Sequence, residues 1–299
     1  NKNIKNINNL FFVFLFIHLL LWVLTPSLTN KNLPLDTIEA LAWGSNLDWG
    51  FNKHPPFSAF AVETFYIIFG NNDWAYYFLS QIFLVTAFYF VWKFSYLILE
   101  DRLYALLSVL TLSSIFFYNF TTPEFNVNVS QLPFWALVVY FFWKGLEFNK
   151  KIDWMLFGVF SSLGFLSKYL FIYILLSLFV FFIFNLKKYK RSIKNYSLSI
   201  FISLLILVPH FIWLVENNFI TIFYGLNRSG IQEFSLINNL KNPLIFLLKQ
   251  AVILIPFLII FSTIIKKIKF KINPNNKKSL FLLFINLFPI LLMLITSIL

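Results

Sequence analysis

The chain has 299 residues, of which 59% are hydrophobic, 21% aromatic and only 12% charged. Soluble globular proteins carry about 25% charged residues, so this composition excludes an ordinary soluble domain and predicts a polytopic membrane protein. The sequence contains no cysteine, which excludes disulfides and thiolate metal sites. The net charge is +12, but the basic residues fall in short clusters between apolar runs. Membrane topology explains that pattern, and we expect no nucleic-acid partner.

The first predicted helix covers residues 10–24 and follows two lysines, Lys2 and Lys5. It resembles a signal peptide, but no small-residue cleavage site follows it, so we predict an uncleaved membrane anchor. The chain begins with Asn and stops at Leu299 inside an apolar run. We therefore expect it to be cut at one or both ends, and truncated at the C-terminus in particular.

A long polar interval follows this anchor and gives the first predicted outer loop, residues 25–73. Asp36 and Glu39 are three residues apart, so in a helix they share one face. D-T-I-E is also the pattern of a capping box, with Asp36 as N-cap and Gly44 as terminator. Residues 57–69 are apolar but would reach only about 20 Å as a helix, short of the roughly 30 Å hydrocarbon core. We place them as an interfacial helix that ends at Gly70.

Apolar runs of about 15–25 residues favour membrane-spanning helices over the strands of a barrel. Residues 154–186 are too long for one ordinary span, so we divide them at Ser167 and Lys168. The nine predicted spans cover residues 10–24, 74–99, 103–118, 129–146, 154–166, 169–186, 196–215, 244–265 and 280–299.

The distribution of charge tests this topology, because cytoplasmic loops carry the excess of Lys and Arg. The nine spans place 18 of the 24 Lys and Arg on the cytoplasmic side, including the cluster at 266–278, and eight of the 12 acids outside, including Glu233. Letting 57–69 span, or fusing 154–186, would put basic clusters on both sides. The sequence therefore predicts one domain, residues 1–299, with its polar groups on the outer face.

Several outer groups could carry chemistry, and each has a plainer alternative. Lys53 and His54 precede two prolines that fix the backbone, and they suit a phosphate or a lipid headgroup equally. Lys168 at the helix break could catch an anion or simply snorkel. Glu124 and Arg228 lie in loops where solvated charges are ordinary. His210 and His18 are more often hydrogen-bonded structural groups than bases.

Five segments of the chain form a recognisable series. They are L-D-T-I-E-A-L-A-W-G (35–44), K-H-P-P-F (53–57), T-P-E-F-N-V-N (122–128), G-F-L-S-K-Y (164–169) and P-H-F-I-W-L-V-E-N-N-F (209–219). Together they resemble the bacterial glycosyltransferase family 39, which includes protein O-mannosyltransferases and lipid A aminoarabinose transferases. No single segment is decisive, and the match is specific because the segments occur in the same order and at similar spacing along most of the chain.

The resemblance implies a GT-C membrane fold of about nine transmembrane helices, with interfacial helices in the first outer loop. It implies an enzyme of the plasma (bacterial inner) membrane that takes a sugar from a polyprenyl-phosphate carrier on the extracytoplasmic face. The acceptor would be a lipid, a glycan or a protein of the cell envelope, as in lipopolysaccharide or protein glycosylation. Transfer would invert the anomeric centre, with no obligatory cofactor and no predicted metal, although a carboxylate-bound divalent ion is compatible.

The resemblance also assigns roles to residues. Asp36 occupies the position of an essential acid in the first outer loop, and Glu39 lies beside it. The family's second-loop motif usually reads T-P-D, so Glu124 departs from it by one methylene. The implied catalytic set is Asp36, Glu39 and Glu124. The implied donor-phosphate set is Lys53, His54, Lys168 and Arg228.

Two other classes would also place charges and broken helices in a membrane. A transporter or lipid flippase usually shows internal repeats and a site near the bilayer midplane, whereas here we find no repeat and the polar groups crowd one face. A membrane scaffold for other subunits would have no cavity at all. The sequence favours the transferase.

Overall fold

The computed structural model describes residues 2–228, 236–255, 257–259, 262 and 276–298, and throughout these ranges the chain is helical without a β-strand. The all-α prediction is therefore confirmed for this part of the protein. The α-helices are α1 Lys2–Thr29, α2 Leu35–Gly44, α3 Phe57–Phe69, α4 Asp73–Leu99, α5 Arg102–Ser113, α6 Val127–Phe148, α7 Lys151–Ser167, α8 Ile172–Phe184, α9 Ile193–Glu216, α10 Ile220–Arg228, α11 Leu236–Ile253 and α12 Lys277–Ile298.

Among the residues that the structure describes, four helical segments are long and apolar enough to cross a membrane: Asn6–Thr29, Asp73–Leu99, Lys190–Glu216 and Lys277–Ser297. Their length and composition are those of membrane-spanning helices. The predicted total of nine spans stays a prediction, and so does the interfacial placement of α2 and α3. The last turns of the 244–265 span, the lysines at 266–271 and Glu233 lie outside the described residues.

Most predicted helix positions agree with the structure, and the 57–69 helix agrees at both ends. It begins at Phe57 after two prolines and ends before Gly70, whose φ is 64°. The predicted 103–118 span is wrong at its C-terminal end, because α5 stops at Ser113 and a short 3₁₀ turn, Phe116–Tyr118, follows. The hydroxyls of Ser113 and Ser114 donate to the backbone carbonyls of Leu110 and Thr111. Such local bonds compete with continuation of the helix.

The predicted break inside residues 154–186 is confirmed. Helix α7 ends at Ser167, Lys168 is extended with φ −163°, and a 3₁₀ turn Tyr169–Phe171 leads into α8. Gly164 allows this arrangement, because a Cβ added there would lie 2.3 Å from the Phe171 ring. The fully buried Phe171 therefore packs directly against the backbone of α7, and Lys168 is left at the turn.

The helices are held by three clusters of buried apolar side chains. The largest joins α6, α7, α8 and α12, and a second joins α1, α4 and α5. The third includes Ala40, Val62, Tyr76 and Phe125, and it binds α2 and α3 to α4 and to the segment before α6. This third cluster is the support for the polar residues described below.

Charged groups are separated between the two ends of α6, which at 22 residues is about 33 Å long. Near its C-terminal end, Lys144 pairs with the buried Asp153 at 2.7 Å, and Lys277 pairs with Glu147. These bases are among those predicted to be cytoplasmic. The predicted site residues lie near its N-terminal end, so the two groups lie at opposite ends of this helix.

Candidate active site

Asp36 lies in the first turn of α2, not at its N-cap as the capping-box interpretation predicts. That prediction is wrong, because the helix begins at Leu35 and Pro34 takes the cap position with no side-chain hydrogen bond. Proline at this position cannot supply a capping oxygen. Gly44 is the last residue of α2 and Ser45 follows as C-cap.

Glu124, 88 residues away, supplies the missing cap. Its Oε1 accepts a hydrogen bond from the backbone N–H of Asp36 at 3.2 Å. The Thr37 hydroxyl donates to the carbonyl of Phe125 at 3.2 Å, so the start of α2 is fastened to the second loop twice. A carboxylate at a helix N-terminus is also favoured by the helix dipole. Glu124 therefore fixes the position of the Asp36 backbone.

Glu39, one turn after Asp36, forms an ion pair with Lys53. Both side chains are about one-third exposed, at 29% and 35%. The hydrogen bond from Lys53 to Glu39 raises the pKa of the lysine. Asp36 is exposed and forms no salt bridge with any residue in the described ranges. The two neighbouring acids thus differ, since Glu39 is neutralised by a cation and Asp36 is not.

His54 lies at the centre of the charged groups. Burial lowers its pKa below the usual value, Lys168 and Arg228 lower it further, and Glu39 and Asp36 act in the opposite direction. These four charges, from α2, the helix break and α10, are therefore all close enough to influence one imidazole. This environment favours the neutral imidazole, which has one N–H donor and one acceptor nitrogen.

Lys168 projects from the break after α7 and donates to Oδ1 of Asn128 at 2.5 Å. Burial lowers the pKa of this lysine, the charge of Arg228 lowers it further, and Asp36 opposes both. Arg228 ends α10, where its Nη1 lies 3.4 Å from the hydroxyl of Tyr224. Two cations, Lys168 and Arg228, thus lie near His54 together with the two acids of α2.

A small cleft opens between the acids and the start of α6. Its lining includes Asp36, Glu39, Trp43, His54, Ser58 and Asn126. The Ser58 hydroxyl is buried and has no hydrogen-bond partner among the described residues, so it is available to a bound group. The cleft has room for about one water molecule. Asp36 is exposed at its edge.

The structure brings all seven predicted site residues to one end of the bundle, although they come from five separate segments. Sequence reasoning missed the partners Asn128 and Tyr224 and the capping contact of Glu124. The Asn-x-Asn before an apolar run was a usable signal, because Asn126 caps α6 by accepting from the N–H groups of Asn128 and Val129. The contacts of Glu124 with Asp36 and of Lys168 with Asn128 join residues 88 and 40 positions apart, and no local pattern in the sequence indicates them.

The chain was compared with known protein families, curated proteins and solved structures. The family described as dolichyl-phosphate-mannose-protein mannosyltransferase matches residues 53–213. That range is more than half of the chain. The protein belongs to this family of membrane glycosyltransferases. No curated protein and no solved structure matches the chain.

The matched range contains Lys53, His54, Glu124 and Lys168, and it begins after α2. Asp36 and Glu39 lie before it, and Arg228 lies beyond it. Membership in the family therefore supports a membrane transferase. The roles of individual residues depend on the geometry described above.

Proposed function

We propose that this protein transfers a sugar from a polyprenyl-phosphate carrier to a hydroxyl or amine acceptor on the outer face of the plasma membrane. The single observation that carries the proposal is the convergence of the two acids of α2 and the cations Lys168 and Arg228 around His54. A carboxylate without a cation partner and a pair of cations for phosphate are the groups that this reaction needs.

Asp36 is the proposed base. An acceptor hydroxyl is a weak nucleophile, and Asp36 takes its proton as the acceptor oxygen attacks the anomeric carbon. The bond from that carbon to the phosphate oxygen breaks, and its electron pair leaves with the polyprenyl phosphate. One displacement inverts the anomeric centre. Because Asp36 is exposed in the structure, the bound substrates must exclude water from it.

Lys168 and Arg228 are the proposed partners of the leaving phosphate. The phosphate gains negative charge as the glycosidic bond breaks, and fixed cations stabilise that charge. Lys53 extends the cationic surface but is held by Glu39. In this proposal Glu39 positions Lys53, and Glu124 positions the backbone of Asp36. No cofactor enters the proposed reaction beyond the lipid-linked donor.

The direct test is transfer itself. The full chain in bacterial membranes or proteoliposomes is incubated with polyprenyl-phosphate sugars labelled in the sugar, and labelled lipid, glycan and protein fractions are separated. We expect label in one acceptor fraction and release of polyprenyl phosphate. Label that stays on the donor with every sugar tested would refute the proposal.

A lipid flippase is the second candidate, and the same vesicles distinguish it. A flippase moves the intact donor between leaflets and leaves the sugar–phosphate bond unbroken. The polar groups at one end of the bundle disfavour this alternative, because transporter sites usually lie near the bilayer midplane. Protection of intact labelled donor inside vesicles, without any labelled acceptor, would favour it.

A further inference from the structure

Helix α9 and the start of α10 hold the loop that carries Lys53 and His54. His210 is fully buried on α9, and its Nδ1 lies 2.6 Å from the carbonyl oxygen of Trp49. The Thr221 hydroxyl donates to the carbonyl of Phe51 at 2.6 Å. The end of α9 and the start of α10 therefore each bind a backbone oxygen, one on either side of Gly50.

Gly50 lies directly against an aromatic ring of the same helix. A Cβ at this position would approach the Trp213 ring to 2.2 Å, so only glycine lets the loop come this close. The same indole is nearly parallel to the His210 imidazole, with 9° between the planes. His210, Trp213 and Thr221 thus form one continuous surface under residues 49–51.

The opposite nitrogen of His210 reaches the segment that carries Lys168. Its Nε2 lies 2.9 Å from the hydroxyl of Tyr169, the residue that follows Lys168. A carbonyl oxygen can only accept, so Nδ1 carries a proton and donates to Trp49. In the neutral ring Nε2 is then an acceptor, and the Tyr169 hydroxyl donates to it. One imidazole therefore connects two segments that lie more than a hundred residues apart.

The segments held by His210 carry two of the proposed phosphate-binding residues, Lys53 and Lys168. The N–H of Phe51 donates to the carbonyl of His54 at 3.1 Å, which closes the turn containing Lys53. Lys168 adjoins Tyr169 in the chain. A shift of His210 would therefore move the two segments that carry Lys53 and Lys168. Asp36 would not follow, because Glu124 holds its backbone separately.

We infer that His210 is a positioning residue that, together with Tyr169 and Thr221, sets the spacing of the donor-phosphate cations. The predicted effect on donor KM rests on the proposed function. The predicted effect on the mobility of the loop rests on the hydrogen bonds alone. The positioning role gives His210 no contact with substrate. It predicts that the donor, and not the acceptor, senses changes at this histidine.

The first experiment measures the loop without any substrate. Because the chain has no cysteine, Asn52→Cys introduces a unique label site at an exposed position beside Lys53. A spin label there is followed in nanodiscs by electron paramagnetic resonance. His210→Phe removes both hydrogen bonds, Tyr169→Phe removes one, and Thr221→Val removes the neighbouring bond. We expect label mobility to rise in all three, most in His210→Phe.

The matched control is Tyr173→Phe, one turn beyond Tyr169. It also removes a tyrosine hydroxyl, but this hydroxyl bonds Thr296 of α12 and not His210. The mobility of the label should therefore stay unchanged. His210→Asn serves as a partial rescue, because its amide nitrogen can replace Nδ1 at the Trp49 carbonyl but cannot reach Tyr169. If His210→Phe does not fold, Tyr169→Phe and Thr221→Val provide the same comparison.

The second experiment measures transfer kinetics in the same variants. We expect the donor KM to rise about tenfold in His210→Phe, because two buried hydrogen bonds are lost, while the acceptor KM stays unchanged. A purely structural role would reduce the amount of active protein and leave both KM values unchanged. Unchanged label mobility and donor KM in the folded variants would overturn the inference. A rise in mobility while the wild type transfers no sugar would support the positioning role and refute the proposed function.

Discussion

Replacing Asp36 by Asn tests the centre of the proposed reaction. The substitution keeps the size of the side chain and the backbone N–H that Glu124 binds, and it removes the proton-accepting carboxylate. A positioned general base contributes about 10²- to 10⁴-fold to the rate. We therefore expect kcat to fall by that factor, which corresponds to about 2.7–5.5 kcal/mol in the activation barrier.

Folding should be affected far less than catalysis. A negative charge in the first turn of a helix is worth only about 0.3–1 kcal/mol at an exposed position, and Asp36 is exposed. Single-turnover transfer from a labelled polyprenyl donor measures the chemical step, and thermal unfolding of the purified protein measures stability. The variant should show near-normal stability with little transfer.

Two further substitutions make the result specific. Asp48→Asn changes a carboxylate in the same loop that accepts only from its neighbour's N–H at 2.7 Å, and it should retain activity. Glu39→Gln removes the partner of Lys53, and it should raise the donor KM by about two- to fivefold, since partly exposed ion pairs contribute little. A kcat of Asp36→Asn close to the wild-type value would refute the base assignment.

The remaining predictions concern the other parts of the site. Lys168→Ala should weaken donor binding by about 1.5–3 kcal/mol, the value of a hydrogen bond to a charged group, and equilibrium binding of a polyprenyl phosphate measures it. Glu124→Gln should retain transfer, because its amide oxygen can still accept the hydrogen bond from the Asp36 N–H. Glu124→Ala should lose transfer, because it has no such oxygen. If kcat is lost in both variants, Glu124 takes part in the reaction directly. Gly50→Ala should destabilise the protein by about 1–3 kcal/mol through collision with the indole packed against it, as thermal unfolding would show. Burial lowers the pKa of His54 in the folded protein below that in the unfolded chain. As the pH drops below about 6.5, the unfolded chain therefore binds a proton more readily than the folded protein, and the free energy of unfolding should decrease. His54→Asn should make this decrease smaller.

Local signals in the sequence predicted the positions of helices well. The two prolines before Phe57 and the glycine after Phe69 mark both ends of α3. The length of residues 154–186 and the lysine within them predicted the break at Ser167. In each example the deciding residues adjoin the boundary that they determine, so a single sequence contains the information.

Contacts between distant segments could not be predicted in the same way. D-T-I-E has the residues of a capping box, yet Pro34 takes the cap position and Glu124 supplies the oxygen from the second loop. The pattern was correct for a helix start and wrong about which carboxylate caps it. Likewise, nothing near Gly50 in the sequence indicates that an indole 163 positions later requires its missing Cβ.

The different environments of the two acids in α2 fit the two roles that the proposed reaction gives them. Three residues separate Asp36 from Glu39, so they share a face, but only Glu39 is close enough to pair with Lys53. In the proposed reaction Glu39 holds Lys53 for the donor, and Asp36, which forms no salt bridge with any described residue, accepts the proton. In the same reaction the acceptor loses its proton to Asp36 and the phosphate leaves toward Lys168 and Arg228, whose charges act on His54 against those of the acids. An acceptor and a leaving group on opposite sides of one sugar carbon are the requirement of a single inverting displacement.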